Sequence, residues 1–275
     1  MPEEKESIGL IAGGGQFPQL IADAARIQGY RVVAVAHQGE TDTALEDKVD
    51  TLVWIKLGQF GHLIHALKKN GVHRALMAGT IAKRRMFSGL RPDLKGLTLM
   101  SKMAVFHDDG ILRAVSDELK SQGIEIIPST FCLPDLLSPR GCLTKRRPSR
   151  KEMEDIEFGW KIAKELGRLD IGQCVVVRDK TVLALEALEG TDATILRGGD
   201  LAREKAVVIK LSKPGQDLRF DVPTVGLKTL ETMARVKASV LAIEANKTLL
   251  FDKSAVIEYA DKKGIVIMSK ESGSG

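Results

Sequence analysis

Acidic, basic and hydroxyl side chains cluster in the second half of the chain. The stretch EALEGTDATILRGG contains Glu186, Glu189, Thr191, Asp192 and Arg197, followed by two glycines. Carboxylates are the hard ligands that Mg²⁺ prefers in proteins, and hydroxyl and guanidinium groups bind phosphate oxygens. The stretch therefore predicts a site for magnesium and phosphate. An alternative stays open, in which Thr191 and Asp192 cap a helix that begins near Ala193.

A second polar motif, FDVPTVG, follows at residues 220–226. Pro223 lacks a backbone N–H and biases Val222 towards an extended conformation. Asp221 is therefore expected at the end of a short extended segment, pointing into whatever the loop lines. The alternative is that Asp221 only braces the following turn.

A glycine-rich turn lies near the N-terminus. The apolar run Ile8–Ala12 leads into Gly13, Gly14, Gly15 and Gln16, and a helical pattern follows. A strand, a glycine turn and a helix let backbone amides approach a phosphate. The turn departs from the dinucleotide fingerprint, because Pro18 occupies the third glycine position, and NAD binding is disfavoured. The alternative is a tight turn that only packs the helix on the strand.

Strand-like and helical segments alternate through the first half and predict a parallel sheet. The strand near Arg74 to Met77 ends at Gly79 and Thr80, which we expect to share a rim with the glycine turn, although ordinary connections would look the same. The fold class is α/β, with an N-terminal Rossmann-like parallel sheet with helices and a C-terminal mixed α/β domain. The predicted boundaries are 1–133 for the first domain, 134–150 for a proline-rich linker, 151–270 for the second domain and 271–275 for a tail.

Composition limits the classes of partner. The 275-residue chain carries a net charge of +5 with a pI near 9.0, which favours an anionic partner. With eight Phe, two Tyr and two Trp, and no basic run with interleaved aromatics, nucleic acid is disfavoured. The polar N-terminus and the lack of a long apolar run predict a cytoplasmic location. Basic and apolar residues mix at 81–101, which suits a membrane surface or, alternatively, a solvated amphipathic segment.

Five motifs occur in order along the chain: IAGGGQFPQL, DDGILRAV, GRLDIGQCVVV, EALEGTDATILRGG and FDVPTVG. In this combination the sequence resembles the LpxI-type UDP-2,3-diacylglucosamine pyrophosphatase family of lipid A biosynthesis, over residues 7–268. The last two motifs are the specific ones, whereas the glycine turn alone would be weak.

The resemblance implies a two-domain enzyme whose substrate lies between the halves. Such an enzyme cleaves UDP-2,3-diacylglucosamine to UMP and 2,3-diacylglucosamine 1-phosphate (lipid X) with Mg²⁺. It also implies a peripheral position on the inner face of a Gram-negative cytoplasmic membrane. A homodimer is one alternative for the oligomeric state. Two other classes of function also stay as alternatives, a different nucleotide-sugar or sugar-phosphate enzyme and a non-catalytic nucleotide-binding protein.

The chemistry assigns expected roles to individual side chains. Asp221 is the predicted essential acid, as a metal ligand or as the group that orients the attacking water. Glu189 and Asp192 assist it, and Asp192 is also a predicted metal ligand. The predicted substrate-binding residues are Thr191, Arg197, Thr224 and Lys228, together with Gly13, Gly14, Gly15, Gln16, Gly79 and Thr80.

Overall fold

The chain forms two compact units in a computed structural model. The structure describes residues 5–81, 91–101, 108–214, 217–220 and 222–271. The first unit comprises Met1–Pro134 with Asp217–Phe220, and the second comprises Asp135–Gln216 with Asp221–Gly275. Each unit is an α/β structure with its own sheet, which confirms the predicted fold class.

The first unit contains a parallel five-stranded sheet in the order β3-β2-β1-β4-β5. Its strands are nearly continuous apolar runs, because helices and loops cover both faces of the sheet. The strands are β1 (Ser7–Ala12), β2 (Arg31–His37), β3 (Thr51–Ile55), β4 (Arg74–Ala78) and β5 (Glu125–Ile126). The helices are α1 (Phe17–Ile27), α2 (Phe60–Lys69), α3 (Leu94–Ser101) and α4 (Asp108–Ser121), with short 3-10 turns at Thr43–Lys48 and Ser129–Cys132.

The order of these strands reverses between β1 and β4. Ligands of open α/β sheets bind in the crevice outside the carboxyl ends of the strands at such a point. The glycine turn follows β1, and Gly79 follows β4, so both lie at the carboxyl edge beside this switch point.

The second unit contains a mixed six-stranded sheet in the order β6-β13-β11-β9-β7-β8. Three central strands run parallel, and the strands at both sides run antiparallel to their neighbours. The strands are β6 (Gly141–Cys142), β7 (Cys174–Arg178), β8 (Thr181–Leu185), β9 (Val207–Lys210), β11 (Val240–Glu244) and β13 (Val266–Lys270). A separate short pair joins β10 (Thr224–Val225) to β12 (Leu249–Leu250) in parallel.

Helices cover both faces of the second sheet. The helix α5 (Arg150–Arg168) packs on one face, where Ile156, Trp160 and Ile209 share a core cluster. The other face is covered by α6 (Thr191–Ala202), α7 (Leu227–Arg235) and α8 (Lys253–Lys263). One edge of this sheet is formed by the carboxyl ends of β8, β9, β11 and β13 and by the amino end of β7. The ladders show this, because Lys210 at the end of β9 pairs with Cys174 at the start of β7 and with Ile243 near the end of β11.

The predicted linker segment 134–150 carries regular structure. It begins with a 3-10 turn at Pro134–Leu136, and β6 within it pairs with the edge strand β13. Arg146 in its basic run donates to Glu152, to the Gly264 carbonyl and to the Ser239 carbonyl. Residues 135–150 therefore fold as part of the second unit.

The contact between the glycine turn and Gly79 generates a stability prediction. Gly79 has φ +89°, and a Cβ there would lie 2.5 Å from the Gly14 carbonyl oxygen. Gly29 has nearly the same φ, +90°, but nothing lies within 4 Å of its Cβ position. Gly29→Ala should cost about 1–2 kcal/mol from backbone strain alone. Gly79→Ala should cost clearly more, because the carbonyl must also move.

Thermal melting of the two variants measures this difference. Each kcal/mol lowers the melting temperature by roughly 2–4 °C in a chain of this size. Equal melting temperatures for Gly79→Ala and Gly29→Ala would show that the close approach at Gly79 does not constrain the turn.

Candidate active site

The glycine turn of the first unit is held against the end of β4 by backbone hydrogen bonds. The Gly13 N–H donates to the Ala78 carbonyl at 2.8 Å, and the Gly14 N–H donates to the Thr80 carbonyl at 2.7 Å. The Thr80 N–H returns a bond to the Gly14 carbonyl at 3.0 Å. The structure thus brings Gly13 and Gly14 together with Gly79 and Thr80. Their role in substrate binding stays a prediction.

The end of β2 supports the same turn from the other side. The Thr41 hydroxyl donates to the Ala12 carbonyl at 2.7 Å and accepts from the His37 N–H at 3.0 Å. His37 Nδ1–H donates to the same carbonyl at 2.9 Å. Burial lowers the pKa of His37, so the ring is neutral and acts as a structural donor. These contacts were not predicted from the sequence.

The open side of the turn is formed by Gly15 and Gln16. Both are exposed, and a Cβ on Gly15 would meet nothing within 4 Å. Gln16 is the N-cap of α1 and makes no side-chain capping bond. The start of a helix favours an anion, because its first N–H groups have no partner within the helix, but Pro18 in the first turn of α1 has no N–H. Phosphate binding at this turn stays a prediction.

In the second unit, Glu186 follows β8 and is buried at the carboxyl edge. Its Oε1 accepts from the Thr191 hydroxyl at 2.9 Å, and its Oε2 accepts from the Gln173 N–H at 3.1 Å. Glu186 thus joins the ends of two strands to the start of α6. Burial, followed by the charge of Glu186, raises the pKa of the neighbouring Cys174 thiol, which excludes a thiolate nucleophile here.

The helix α6 begins at Thr191, earlier than the predicted start near Ala193. Gly190 is its N-cap, with φ +84° and no side-chain capping bond. The alternative in which Thr191 and Asp192 cap this helix is therefore wrong. The Thr191 hydroxyl, predicted to bind phosphate, donates instead to Glu186.

Glu189 and Arg197 form an ion pair across the loop that precedes α6. Arg197 Nη2 lies 2.6 Å from Glu189 Oε1 and 2.9 Å from the Leu185 carbonyl. Glu189 also accepts from the Thr194 hydroxyl at 3.3 Å. Its own backbone N–H and the Arg197 guanidinium hold the pKa of Glu189 below its usual value. Both side chains are partly exposed at the edge where the site was predicted.

Asp192 and Lys228 link the first turns of α6 and α7. Lys228 Nζ lies 2.9 Å from Asp192 Oδ2, and this contact raises the pKa of Lys228. Two predicted site residues from separate motifs are therefore brought together. The positive ends of two helix dipoles meet here, which favours an anionic group.

Two buried charges at this edge were not predicted from the sequence. Lys210 ends β9 with 7% of its surface exposed, and its Nζ donates to the Thr224 carbonyl at 2.9 Å. Glu244 ends β11 with no exposed surface and accepts from Lys164 Nζ and Lys247 Nζ, each at 2.9 Å. The sequence carried a signal for both, because each is a charged residue at the end of an apolar strand, VVIK and VLAIE.

The described residues provide few ligands for a metal ion. Asp221, the predicted essential acid and metal ligand, lies outside the described residues. In the part of the chain that the structure describes, no group of three or more His, Cys, Asp or Glu side chains is placed to hold a metal. Magnesium commonly uses one or two carboxylates together with phosphates and water. The half-exposed Asp192 carboxylate fits such a shared site.

Comparison with known proteins covers both units. Residues 7–136 match the LpxI N-terminal domain, and residues 139–268 match the LpxI C-terminal domain. The UDP-2,3-diacylglucosamine pyrophosphatase LpxI of Caulobacter vibrioides is 36% identical over 272 residues, covering 95% of this chain and 96% of that protein. The crystal structure of gox2253 matches with a TM-score of 0.32 and 10% identity, over 95% of this chain and 84% of that one, a likeness too low to carry an argument. The two domain matches and the relative that aligns along almost the whole chain show that this protein belongs to the LpxI family.

Proposed function

We propose that this protein hydrolyses the pyrophosphate bond of UDP-2,3-diacylglucosamine, releasing UMP and 2,3-diacylglucosamine 1-phosphate for lipid A biosynthesis. The observation that carries this proposal is the likeness to the named Caulobacter vibrioides pyrophosphatase along nearly the full length of both chains. The two carboxyl edges support it, since each offers helix N-termini that favour phosphate groups.

The reaction needs an electrophilic phosphorus, a positioned water and neutralisation of the pyrophosphate charge. Bound Mg²⁺ would supply neutralisation and polarise the phosphoryl oxygens. Asp221 and Asp192 are the residues that would hold it, and Glu189 would assist at the same edge. Asp221 would otherwise act by orienting the attacking water.

Arg197 and Lys228 of the second unit would bind the substrate phosphates. Arg197 uses one of its terminal nitrogens on Glu189 and on the Leu185 carbonyl, and a guanidinium has further N–H donors. Lys228 is exposed and can exchange its contact with Asp192 for a phosphate oxygen. In the first unit, the exposed turn at Gly15 and Gln16 is the predicted phosphate-binding segment.

A diacylated substrate requires access to lipid, and α3 offers an apolar surface for it. Leu94 and Leu97 lie one helical turn apart and are 84% and 52% exposed. The proposed location is peripheral, on the inner face of the cytoplasmic membrane. Residues 82–90, which carry most of the predicted basic and apolar mixture, lie outside the described residues. Among the helices that are described, none is long and apolar enough to cross a bilayer.

Asp221→Ala tests the proposed chemistry. Because the variant loses a general base or a metal ligand, its kcat for magnesium-dependent UMP release should fall by about 10²–10⁴-fold. Asp200→Ala is the matched control, since Asp200 is an exposed aspartate on α6 of the same unit and should leave kcat unchanged. UMP release is measured with Mg²⁺ and with a chelator. An Asp221→Ala enzyme within threefold of the parent would exclude the assigned role, and a parent that releases no UMP would exclude the proposed function.

Variants of Asp192 and Lys228 distinguish a role of Asp192 in metal binding from a role in ion pairing. If Asp192 holds the metal, Asp192→Asn should raise the Mg²⁺ concentration for half-maximal rate at least tenfold. Lys228→Met should leave that concentration unchanged or lower it, because the competing ammonium is gone, while KM for the substrate rises. Magnesium titrations of the steady-state rate measure both. If the two variants shifted the magnesium requirement upwards equally, Asp192 would act only as the partner of Lys228.

Gly15→Ala tests whether the first unit binds substrate at the glycine turn. Gly15 and Gly29 have φ of +88° and +90°, and both have open space at the Cβ position. The two alanine variants should therefore lose similar stability. Only Gly15→Ala should raise KM, by about tenfold or more, because its methyl group occupies the space of an approaching phosphate. Equal KM values in the two variants would remove the turn from the binding site.

A further inference from the structure

Two buried ions hold the ends of a segment that contains Asp221. Within this segment, Asp217–Phe220 belong to the first unit. Eleven residues separate Ser212 from Thr224, and Asp221 lies among them. The structure describes both flanks, up to Pro214 and from Val222 onwards. Different side chains hold the two flanks, and the two side chains carry opposite charge.

Glu244 holds the first flank. Its Oε2 accepts hydrogen bonds from the Ser212 hydroxyl and from the Ser212 N–H, the latter at 3.2 Å. Lys164 Nζ lies 2.9 Å from the same oxygen, and Lys247 Nζ lies 2.9 Å from Oε1. The carboxylate is fully buried and compensated by two ammonium groups and two neutral donors. Such a network holds Ser212 at the end of β9 with little freedom.

Lys210 holds the second flank. Its buried ammonium donates to the Thr224 carbonyl at 2.9 Å. Backbone bonds from β12 hold the same flank, since the Leu249 N–H donates to the Pro223 carbonyl at 2.8 Å and the Phe251 N–H donates to the Val225 carbonyl at 3.0 Å. An ammonium is an expensive group to bury, and among the described residues it is the Thr224 carbonyl that accepts from it, which indicates a requirement at that position.

We propose that Lys210 and Glu244 are positioning residues that fix the two flanks of the Asp221 motif at the carboxyl edge of the second unit. This inference rests on the proposed function. In the part of the chain that the structure describes, the two side chains contact Thr224 and Ser212, and they act through the backbone of these residues. Because a misplacement of about 1 Å can cost about 10²-fold in rate, loosening either flank should affect catalysis more than binding.

Glu152 provides a matched control within the same unit. It forms a partly buried network at the opposite edge of the sheet, with Arg146 at 2.9 and 3.0 Å and the Ser149 N–H at 2.7 Å. Partial burial opposes ionisation, but the bonds from Arg146 and Ser149 lower the pKa of Glu152 to about 2. Glu152→Gln should therefore cost stability without reaching the Asp221 flanks.

The experiment measures kcat, KM, melting temperature and amide hydrogen exchange for four variants: Lys210→Met, Glu244→Gln, the milder Ser212→Ala, and Glu152→Gln. We expect Lys210→Met and Glu244→Gln each to lower kcat at least tenfold with KM within threefold. Protection against amide hydrogen exchange should fall at residues 222–226 in Lys210→Met and at residues 211–214 in Glu244→Gln. Ser212→Ala should show a smaller loss in the same direction, and it keeps the test informative if Glu244→Gln does not fold. Glu152→Gln should keep the parent kcat.

Two results would overturn the inference. One is a kcat that falls in proportion to the loss of melting temperature in all variants, Glu152→Gln included, since the networks would then be purely structural. The other is lost protection at the flanks with an unchanged kcat. A parent that lacks hydrolysis altogether would instead overturn the proposed function and the catalytic part of this inference, while hydrogen exchange would still decide whether the flanks are held as proposed.

Discussion

A strand that is buried on both faces can carry a charge only at its ends, and this constraint shapes the second unit. Val207 to Ile209 and Val240 to Ile243 are fully buried between helices on both sides of the sheet. Lys210 and Glu244 are the next positions along the two strands. Their charges emerge together at the carboxyl edge because β9 and β11 are parallel and in register. The same packing that excludes water from the sheet therefore concentrates buried charge where the chain turns.

The first unit meets the same constraint with backbone groups. Its central strands are also buried, and the chain leaves β1 through three glycines. Gly13 and Gly79 approach so closely that a side chain at either position would meet backbone atoms of the other segment within 3.0 Å. The exposed residues of this turn, Gly15 and Gln16, come directly before α1. By the proposed function, the first unit would meet a phosphate with backbone dipoles, whereas the second would meet one with side-chain charges.

The sequence predicted those features that follow from local pattern. Alternating strands and helices predicted the α/β class. The meeting of Gly13 with Gly79 follows because parallel strands of one sheet end at the same edge, and β1 does pair with β4. The pattern did not predict β6, since a two-residue antiparallel edge strand has no periodicity of its own. It also missed the contact of Lys210 with Thr224. Thr224 lies fourteen positions after Lys210, and a contact between residues so far apart along the chain leaves no local pattern in the sequence.

Exposure divides the ion pairs at the carboxyl edge into two groups with different capacities for chemistry. Glu189 with Arg197, and Asp192 with Lys228, are open to water, and pairs of this kind contribute little to stability. A phosphate or a metal ion can replace either partner without a large cost to the fold. The Glu244 carboxylate is fully buried, while Lys164 and Lys247 are partly exposed, and leaving a buried carboxylate unpaired typically costs about 3–5 kcal/mol. The exposed pairs are therefore suited to exchange partners with a substrate, whereas the buried charges are suited to hold Ser212 and Thr224, the two ends of the segment that contains Asp221.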